Sequence, residues 1–164
     1  MAITDKRRND ERVPVNSESF FFTSAVFGCN DAGGEIVLAS FPKGLYQIMG
    51  APIVEILEPF DAAAAIDVGR GTIANDNITT GGAIAVVDQD EYVKTADVTV
   101  QTAGAYMAAT SDLVTAFGSG TGAEMLIRGA AANVPIIYAV VTDAVKSGGK
   151  ARVHMVLMKV PTAG

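Results

Sequence analysis

Two stretches near the end of the chain decide the fold class: Ile136-Ile137-Tyr138-Ala139-Val140-Val141-Thr142 and Val153-His154-Met155-Val156-Leu157-Met158-Lys159-Val160. Successive side chains of an extended strand point to opposite faces, so each stretch presents an apolar residue on both faces. A strand of a two-layer sandwich needs only one apolar face. We therefore predict a C-terminal hairpin whose second face is covered by another element or by another subunit. The residues expected to self-associate through that face are Ile137, Val141, Val156, Met158 and Val160.

The rest of the chain consists mostly of short apolar or alternating runs separated by turn residues. The chain holds 17 glycines, and Phe41-Pro42-Lys43-Gly44 has the residues of a type I turn that closes a hairpin. Frequent turn signals without long amphipathic segments favour an all-β sandwich or barrel. The predicted strands are residues 20–27, 35–40, 45–49, 53–58, 65–68, 84–87, 98–101, 125–127, 136–142 and 153–160. Turns are expected between them, including residues 69–71.

An α/β fold is the alternative, because buried parallel strands also read as continuous apolar runs. That fold needs a crossover helix between successive strands. Only residues 110–117 have a helical pattern, with Thr110 and Ser111 as possible caps. The alanine run at residues 62–65 is the best rival helix, yet it lies between Pro59 and Gly69 and continues into Ile66-Asp67-Val68. The all-β interpretation is therefore favoured.

Length and composition favour one domain with an N-terminal extension. The chain has 164 residues, of which 49% are hydrophobic and 18% charged. One domain of this length buries about 70% of its unfolded surface. Residues 1–19 are polar and show no period, so we expect an extended N-terminal arm followed by a β-sandwich domain over residues 20–164. The low share of charged residues indicates that some apolar surface meets a partner.

The charge distribution bears on possible partners. The net charge is -6, yet the arm is rich in basic residues and residues 146–164 hold four basic side chains and no acid. The body between these ends is therefore strongly acidic and repels phosphate, which argues against direct binding of nucleic acid. The basic ends could instead pair with the acidic bodies of neighbouring copies.

Several classes of protein are excluded because the sequence lacks the motifs that they require. One cysteine, Cys29, allows no intrachain disulfide, and no Cys/His cluster has metal spacing. No apolar run approaches the roughly 18 residues of a membrane span, and the N-terminus is charged. We therefore expect a soluble, unsecreted protein with no membrane partner, no metal and no cofactor.

Candidate catalytic and ligand-binding residues are few. His154 is the only histidine, and Cys29 with His154 and an aspartate could form a thiol triad. No nucleophile motif surrounds Cys29, so structural roles are favoured for both. The glycine-rich residues 118–122 lack the lysine of a phosphate loop. Asp88-Gln89-Asp90-Glu91 lacks the further oxygen ligands of a calcium loop and is expected to be a solvated acidic loop. We predict no enzymatic activity.

The region from Gly44 onward resembles the small head decoration, or cement, proteins of tailed bacteriophages. The resemblance lies in residues 53–61 leading to Ile66-Asp67-Val68-Gly69, in residues 92–104, and in residues 135–138 with Gly148-Gly149-Lys150-Ala151-Arg152-Val153. It covers about 120 residues of the chain and rests on apolar and turn patterns. It implies a jelly-roll-like fold, frequent trimerisation and no enzymatic activity.

The expected function is therefore a structural virion protein that stabilises a capsid. Its partners would be the major capsid protein and itself, as a homotrimer, on the capsid surface of a virion made in the host cytoplasm. The expected capsid contacts are the basic and aromatic residues Arg7, Arg8, Arg12, Phe20, Phe21 and Phe22. A carbohydrate-binding jelly roll for host recognition is the alternative. The sequence holds no tryptophan and only four tyrosines to stack on sugar rings.

Overall fold

The computed structural model describes residues 19–28, 35–61, 63–74, 83–94, 100–107, 126–142 and 148–161. These ranges contain eleven strands and no helix, so the predicted all-β class is confirmed. The strands are β1 (Ser19–Thr23), β2 (Phe27–Gly28), β3 (Glu35–Ser40), β4 (Leu45–Ile48), β5 (Ile53–Glu58), β6 (Ala65–Ala74), β7 (Ile84–Val93), β8 (Gly104–Met107), β9 (Leu126–Arg128), β10 (Asn133–Thr142) and β11 (Lys150–Val160).

The strands form two antiparallel sheets. Seven strands build one sheet, in which β8, β5, β11, β4 and β9 follow one another and β1 and β2 also pair with β11. The other sheet has four strands in the order β3, β10, β6 and β7. This arrangement is consistent with a β-sandwich.

Strand β11 is paired along both of its edges. His154 lies opposite Thr23 of β1 and also opposite Ile53 of β5. Leu157 likewise lies opposite Phe20 of β1 and Ile48 of β4. The segments 45–58 and 19–28 therefore run along opposite edges of β11, each with a short break between its two strands. Beyond the first segment lie β8 and β9, whereas the second segment is the margin of the sheet among the described strands.

The main core is built from apolar side chains of both sheets. From β11 it takes Val153, Met155 and Leu157, and from β10 it takes Ile137 and Val141. A second cluster contains Val134, Ile136 and Tyr138 of the same β10, with Ile73 of β6. Strand β10 is thus buried on both faces, as its double apolar pattern predicts.

Neither predicted hairpin is present. Strands β10 and β11 belong to different sheets and do not pair with each other. An apolar face of each strand instead contributes side chains to the same core. Strands β3 and β4, on either side of the turn at residues 41–44, also belong to different sheets. The amide of Phe41 donates to the carbonyl of Pro135, and the amide of Gly129 donates to the carbonyl of Gly44. Residues far away in the sequence therefore hydrogen-bond the backbone of this turn as it passes between the two sheets.

Most predicted strands agree with the structure, and several differ. β3 and β5 have the predicted bounds, while residues 20–27 form two strands, β1 and β2, with a break at residues 24–26. The expected strand at 98–101 is not seen at its described end, where Val100 and Gln101 lie in a turn. A strand follows there instead, β8. The predicted helix at 110–117 lies outside the described residues, as do Cys29 and residues 118–122.

Two predicted connections are parts of long strands. Gly69-Arg70-Gly71 lies within β6, and Asp88-Gln89-Asp90-Glu91 lies within β7. A Cβ atom on Gly69 would overlap the carbonyl oxygens of Asp88 and Gln89, so glycine permits a close approach of the two strands instead of a turn.

Candidate interaction surface

The outer face of the seven-stranded sheet carries exposed apolar side chains around β11. Phe21 of β1 lies opposite Val156 of β11, and their side chains are 63% and 37% exposed. Met49 follows β4, and its amide donates to the carbonyl of Val156 at 2.8 Å. Met158 lies two residues beyond Val156 and is half-buried. We call Phe21, Met49, Val156 and Met158 the outer patch.

The three consecutive phenylalanines of β1 do not share one environment. Phe20 lies opposite the buried Leu157, on the core side of the sheet, and its ring makes an edge contact with Tyr46 at 6.5 Å between centroids. Phe22 packs against the main core. Phe21 lies on the outer face, where its ring stacks on His154 at 5.5 Å. The strand period therefore places Phe21 alone among the three in the outer patch.

A polar cluster lies beside the outer patch and joins three strands. Glu55 Oε2 of β5 accepts from Arg152 Nε at 2.6 Å and from His154 Nε2 at 2.8 Å. His154 Nδ1 lies 3.0 Å from Thr23 Oγ1 of β1. Because a carboxylate only accepts, Nε2 carries a proton towards Glu55, while Nδ1 faces the Thr23 hydroxyl.

The charges of this cluster stabilise one another. Hydrogen bonds from Arg152 and then from His154 hold the pKa of Glu55 below its ordinary value of 4.5. The hydrogen bond to Glu55 raises the pKa of the Arg152 guanidinium above its ordinary value. At neutral pH this part of the face therefore carries a fixed ion pair beside the apolar residues. A second pair, between Lys150 Nζ and Glu58 Oε1 at 2.6 Å, lies at the beginning of β11.

The side chains of Thr23, His154 and Glu55 form a chain of hydroxyl, imidazole and carboxylate. The same order of groups occurs in catalytic triads, where the hydroxyl is the nucleophile and the imidazole is its base. The strands of Thr23, His154 and Glu55 are neighbours in one sheet, and the three groups lie on its outer face. A cleft of about 190 Å³ is lined by residues that include Arg70, Val87 and Arg128. Thr23, His154 and Glu55 do not line this cleft. The arrangement on the outer face fastens β1 to the sheet. This role agrees with the structural role expected for His154.

Strands β6 and β7 hold a further charged pair. Glu91 is buried, and its Oε2 atom lies 3.0 Å from Nε of Arg70. The sequence indicates a solvated acidic loop at residues 88–91, but β7 continues through them. Asp88 and Gln89 are exposed, whereas Glu91 is buried and its carboxylate is paired with Arg70. Among the described side chains, no group of three or more His, Cys, Asp or Glu could hold a metal ion.

Besides Phe20, Phe21 and Phe22, the predicted interaction residues fall into three groups. Arg7, Arg8 and Arg12 lie outside the described residues. Ile137 and Val141 lie in the main core and have no exposed surface. Their burial leaves the exposed or half-buried members of the predicted set, Val156, Met158 and Val160, on the outer face of β11.

One feature of this surface was not predicted from the sequence, namely the margin formed by β1 and β2, beyond which the described residues contain no strand. The signal for it is the absence of any charged residue from residue 19 to residue 28.

No helix in the described ranges is both long enough and apolar enough to cross a membrane.

Comparisons with known proteins give two similar structures. No family model matches the sequence, and no curated protein matches it. One similar chain comes from the acidic stable capsid structure of Helicobacter pylori bacteriophage KHP30, with 18% identity, a TM-score of 0.44, and coverage of 89% of this chain and 90% of that chain. The other comes from the cyanophage Pam1 capsid asymmetric unit, with 16% identity, a TM-score of 0.46, and coverage of 89% and 86%.

Proposed function

We propose that this chain is a structural virion protein that decorates and stabilises the capsid shell of a tailed bacteriophage. The observation that carries the proposal is the outer patch, an exposed apolar surface on a sheet face. In this proposal the major capsid protein covers the outer patch on the surface of the assembled shell.

The exposure around β1 and β11 exceeds what isolated apolar residues produce. Large apolar side chains on the outer face remain more than a third exposed: Phe21, Met49 and Val156. Contiguous apolar patches of more than a few hundred Å² are uncommon on monomeric proteins and mark interaction sites. This surface therefore fits a protein that functions in contact with another protein.

The surroundings of the outer patch fit a protein interface better than a small-molecule site. Stable interfaces have an apolar centre and a polar rim. Here the ion pairs of Arg152 with Glu55 and of Lys150 with Glu58 flank the outer patch along β11. Both pairs are partly exposed, so they remain accessible to a partner.

A virion setting is supported by the resemblance of residues 53–61, 66–69, 92–104, 135–138 and 148–153 to phage head decoration proteins. Decoration also requires no catalytic group, and the Thr23, His154 and Glu55 arrangement serves to hold β1. In the proposal the basic arm adds electrostatic attachment through Arg7, Arg8 and Arg12. Exposed ion pairs contribute about 0.2–1 kcal/mol each, so apolar contact by Phe21 and its neighbours dominates binding.

The carbohydrate-binding alternative gains no support from the aromatic residues. Sugar-binding sites stack tyrosine or tryptophan rings on the ligand, and such rings must be exposed. Tyr92 and Tyr138 are fully buried, whereas Tyr46 and Tyr106 are half-buried. The Tyr106 hydroxyl already donates to the carbonyl of Thr102.

The proposal is tested by substituting the centre of the outer patch. Val156→Asp places a charge in the proposed interface, and Val86→Asp is a matched control on the four-stranded sheet, where Val86 is 51% exposed. We expect Val156→Asp to weaken binding to shells that lack the protein by at least about tenfold, or about 1.4 kcal/mol. Val86→Asp should bind like the unsubstituted protein.

Binding is measured by sedimentation of the purified variants with such shells, after thermal unfolding has shown that both variants fold. Equal binding by the two variants would contradict the role of the outer patch. Failure of the unsubstituted protein to bind any shell, together with specific retention on a glycan array, would favour the carbohydrate alternative.

A further inference from the structure

Among the described strands, the margin of the seven-stranded sheet at β1 is an open strand edge. Thr23 and Phe20 of β1 pair with His154 and Leu157, and those two residues pair with β5 and β4 on their other side. Among the described residues no strand lies beyond β1. A strand edge of this kind presents unpaired backbone donors and acceptors to any second strand.

The backbone groups that face outward can be assigned. The amide of Ser24 donates to the carbonyl of Val153, so the backbone of Ser24 faces β11. Hydrogen-bonding directions alternate along an antiparallel strand. The amide and carbonyl groups of Ser19, Phe21 and Thr23 therefore face away from β11, with Phe21 at the centre.

This edge lacks the features that normally prevent pairing. Natural edges are protected by charged residues, proline or short length. Residues 19–28 contain neither charge nor proline. The other marginal strands are protected: β8 and β9 have only four and three residues, β3 begins with Glu35, and β7 carries Asp88 and Asp90.

We propose that β1 pairs antiparallel with β1 of a second copy of this chain, about a twofold axis at Phe21. The pairing is isologous because no other described marginal strand has at least five residues and no charged residue, so the complementary edge is β1 itself. The strand is neutral, and the twofold axis therefore places no like charges opposite each other. Phe21 lies beside its counterpart, Phe20 lies opposite Phe22 of the second copy, and the two outer patches become continuous.

This pairing closes with two copies and so differs from the trimer that the resemblance implies. It concerns contacts between copies along a strand edge, whereas shell binding is proposed for the outer face. The two proposals can therefore fail separately. Val156→Asp tests the outer face, and substitutions that act through the edge of β1 test the pairing.

A charge exchange at Phe21 tests the pairing directly. Phe21 is 63% exposed, so substitution leaves the core intact. We expect the unsubstituted protein to have twice the 16.9 kDa chain mass. Phe21→Lys and Phe21→Glu should each halve that mass, because like charges then face each other across the twofold axis. An equimolar mixture of the two variants should recover the doubled mass.

Disulfide trapping gives a second, independent readout. Residues directly opposite in antiparallel strands have Cα atoms about 4.5–5.5 Å apart, within the range of a disulfide. In a Cys29→Ser background, Phe21→Cys should form a covalent dimer on mild oxidation. Val87→Cys, at a side chain 55% exposed on β7, is the control and should remain a single chain.

Three results would overturn the proposal. They are an unsubstituted protein of single or triple chain mass, an unchanged mass for Phe21→Lys, and a mixture of the charged variants that stays monomeric. A single-mass protein that sediments with shells would overturn the pairing and leave the proposed function standing.

Discussion

The Oε2 atom of Glu55 lies 2.8 Å from the Nε2 atom of His154, on the outer face of the seven-stranded sheet. The other ring nitrogen of His154 lies 3.0 Å from the hydroxyl of Thr23, so one imidazole connects β5, β11 and β1. The same histidine ring supports Phe21 by stacking. The strand that carries the exposed phenylalanine is thereby fixed in place by a polar contact and an aromatic one.

Glu55→Gln should lower the melting temperature at neutral pH and have a smaller effect in acid. The pKa of Glu55 is below its ordinary 4.5 in the folded chain, because Arg152 and His154 donate to the carboxylate. A lowered pKa stabilises the fold above the ordinary value, and this contribution is lost as the pH falls through the lowered one. Melting temperatures of both proteins from pH 7 to pH 2 measure the effect.

The matched control is Glu58→Gln, which removes the ion pair between Glu58 and Lys150. The side chains of Lys150 and Glu58 are 54% and 55% exposed, so this pair is more exposed than that of Arg152 with Glu55. Its effect should be small at every pH. A melting-temperature difference for Glu55→Gln that stays constant from pH 7 to pH 2 would show that the carboxylate charge of Glu55 does not stabilise the fold.

Gly69→Ala should destabilise the four-stranded sheet. The added Cβ would overlap the carbonyl oxygens of Asp88 and Gln89 on β7, and backbone atoms cannot move aside cheaply. We expect a loss of about 1–3 kcal/mol in the free energy of unfolding, measured by urea denaturation. Gly148→Ala is the control, since its nearest neighbour would be the Pro59 carbonyl oxygen at 3.9 Å. Equal stability of the two variants would contradict the close approach of β6 and β7.

Tyr138→Phe should preserve or increase stability. The Tyr138 hydroxyl is buried and has no hydrogen-bond partner in the described part of the chain. An unsatisfied buried polar group costs about 1–3 kcal/mol, so its removal should raise the melting temperature by several degrees. A fall of several degrees would instead reveal a partner for the hydroxyl.

The same substitution should change the response to alkali. Burial, followed by the charges of Glu35, Asp88, Asp67 and Asp90, raises the pKa of Tyr138 to about 12 from its ordinary 10.0. This raised pKa disfavours the phenolate in the folded chain, so the free energy of unfolding falls as the pH rises from 10 to about 12. The stability of the unsubstituted protein should therefore fall more steeply in that range than that of Tyr138→Phe. Parallel curves would contradict the assignment.

Local pattern predicts the strands of this protein better than their partners. Strands β3 and β5 are apolar runs bounded by turn residues, and their bounds follow from the sequence. The strands that pair with β10 and β11 do not follow from the sequence. Two strands that are apolar on both faces can pair with each other in one sheet, or they can face each other across a core from two sheets. The second arrangement buries Ile137 and Val141, which the sequence alone assigns to a surface.

Glycine and acidic residues led to wrong predictions of a turn and a loop, again because contacts between distant parts of the chain decide their structure. They usually mark turns and loops, yet Gly69 lies in β6 because another backbone approaches it closely, and Glu91 lies in β7 because Arg70 neutralises it. Both explanations depend on contacts between distant parts of the chain. The outer face could be predicted in part, since Val156 and Met158 follow from strand period, whereas the open edge of β1 required the pairing of β11.

Thermal release of the packaged genome tests the proposed function most directly. Protein that binds only the assembled shell stabilises it by mass action, by about 2.7 kcal/mol per site at a hundredfold excess over Kd. Particles with and without this chain are heated in the presence of a DNA-binding dye, and dye fluorescence reports genome release. We predict that particles without the chain form normally and release DNA at a lower temperature. Coincident release curves would contradict stabilisation of the shell by this protein.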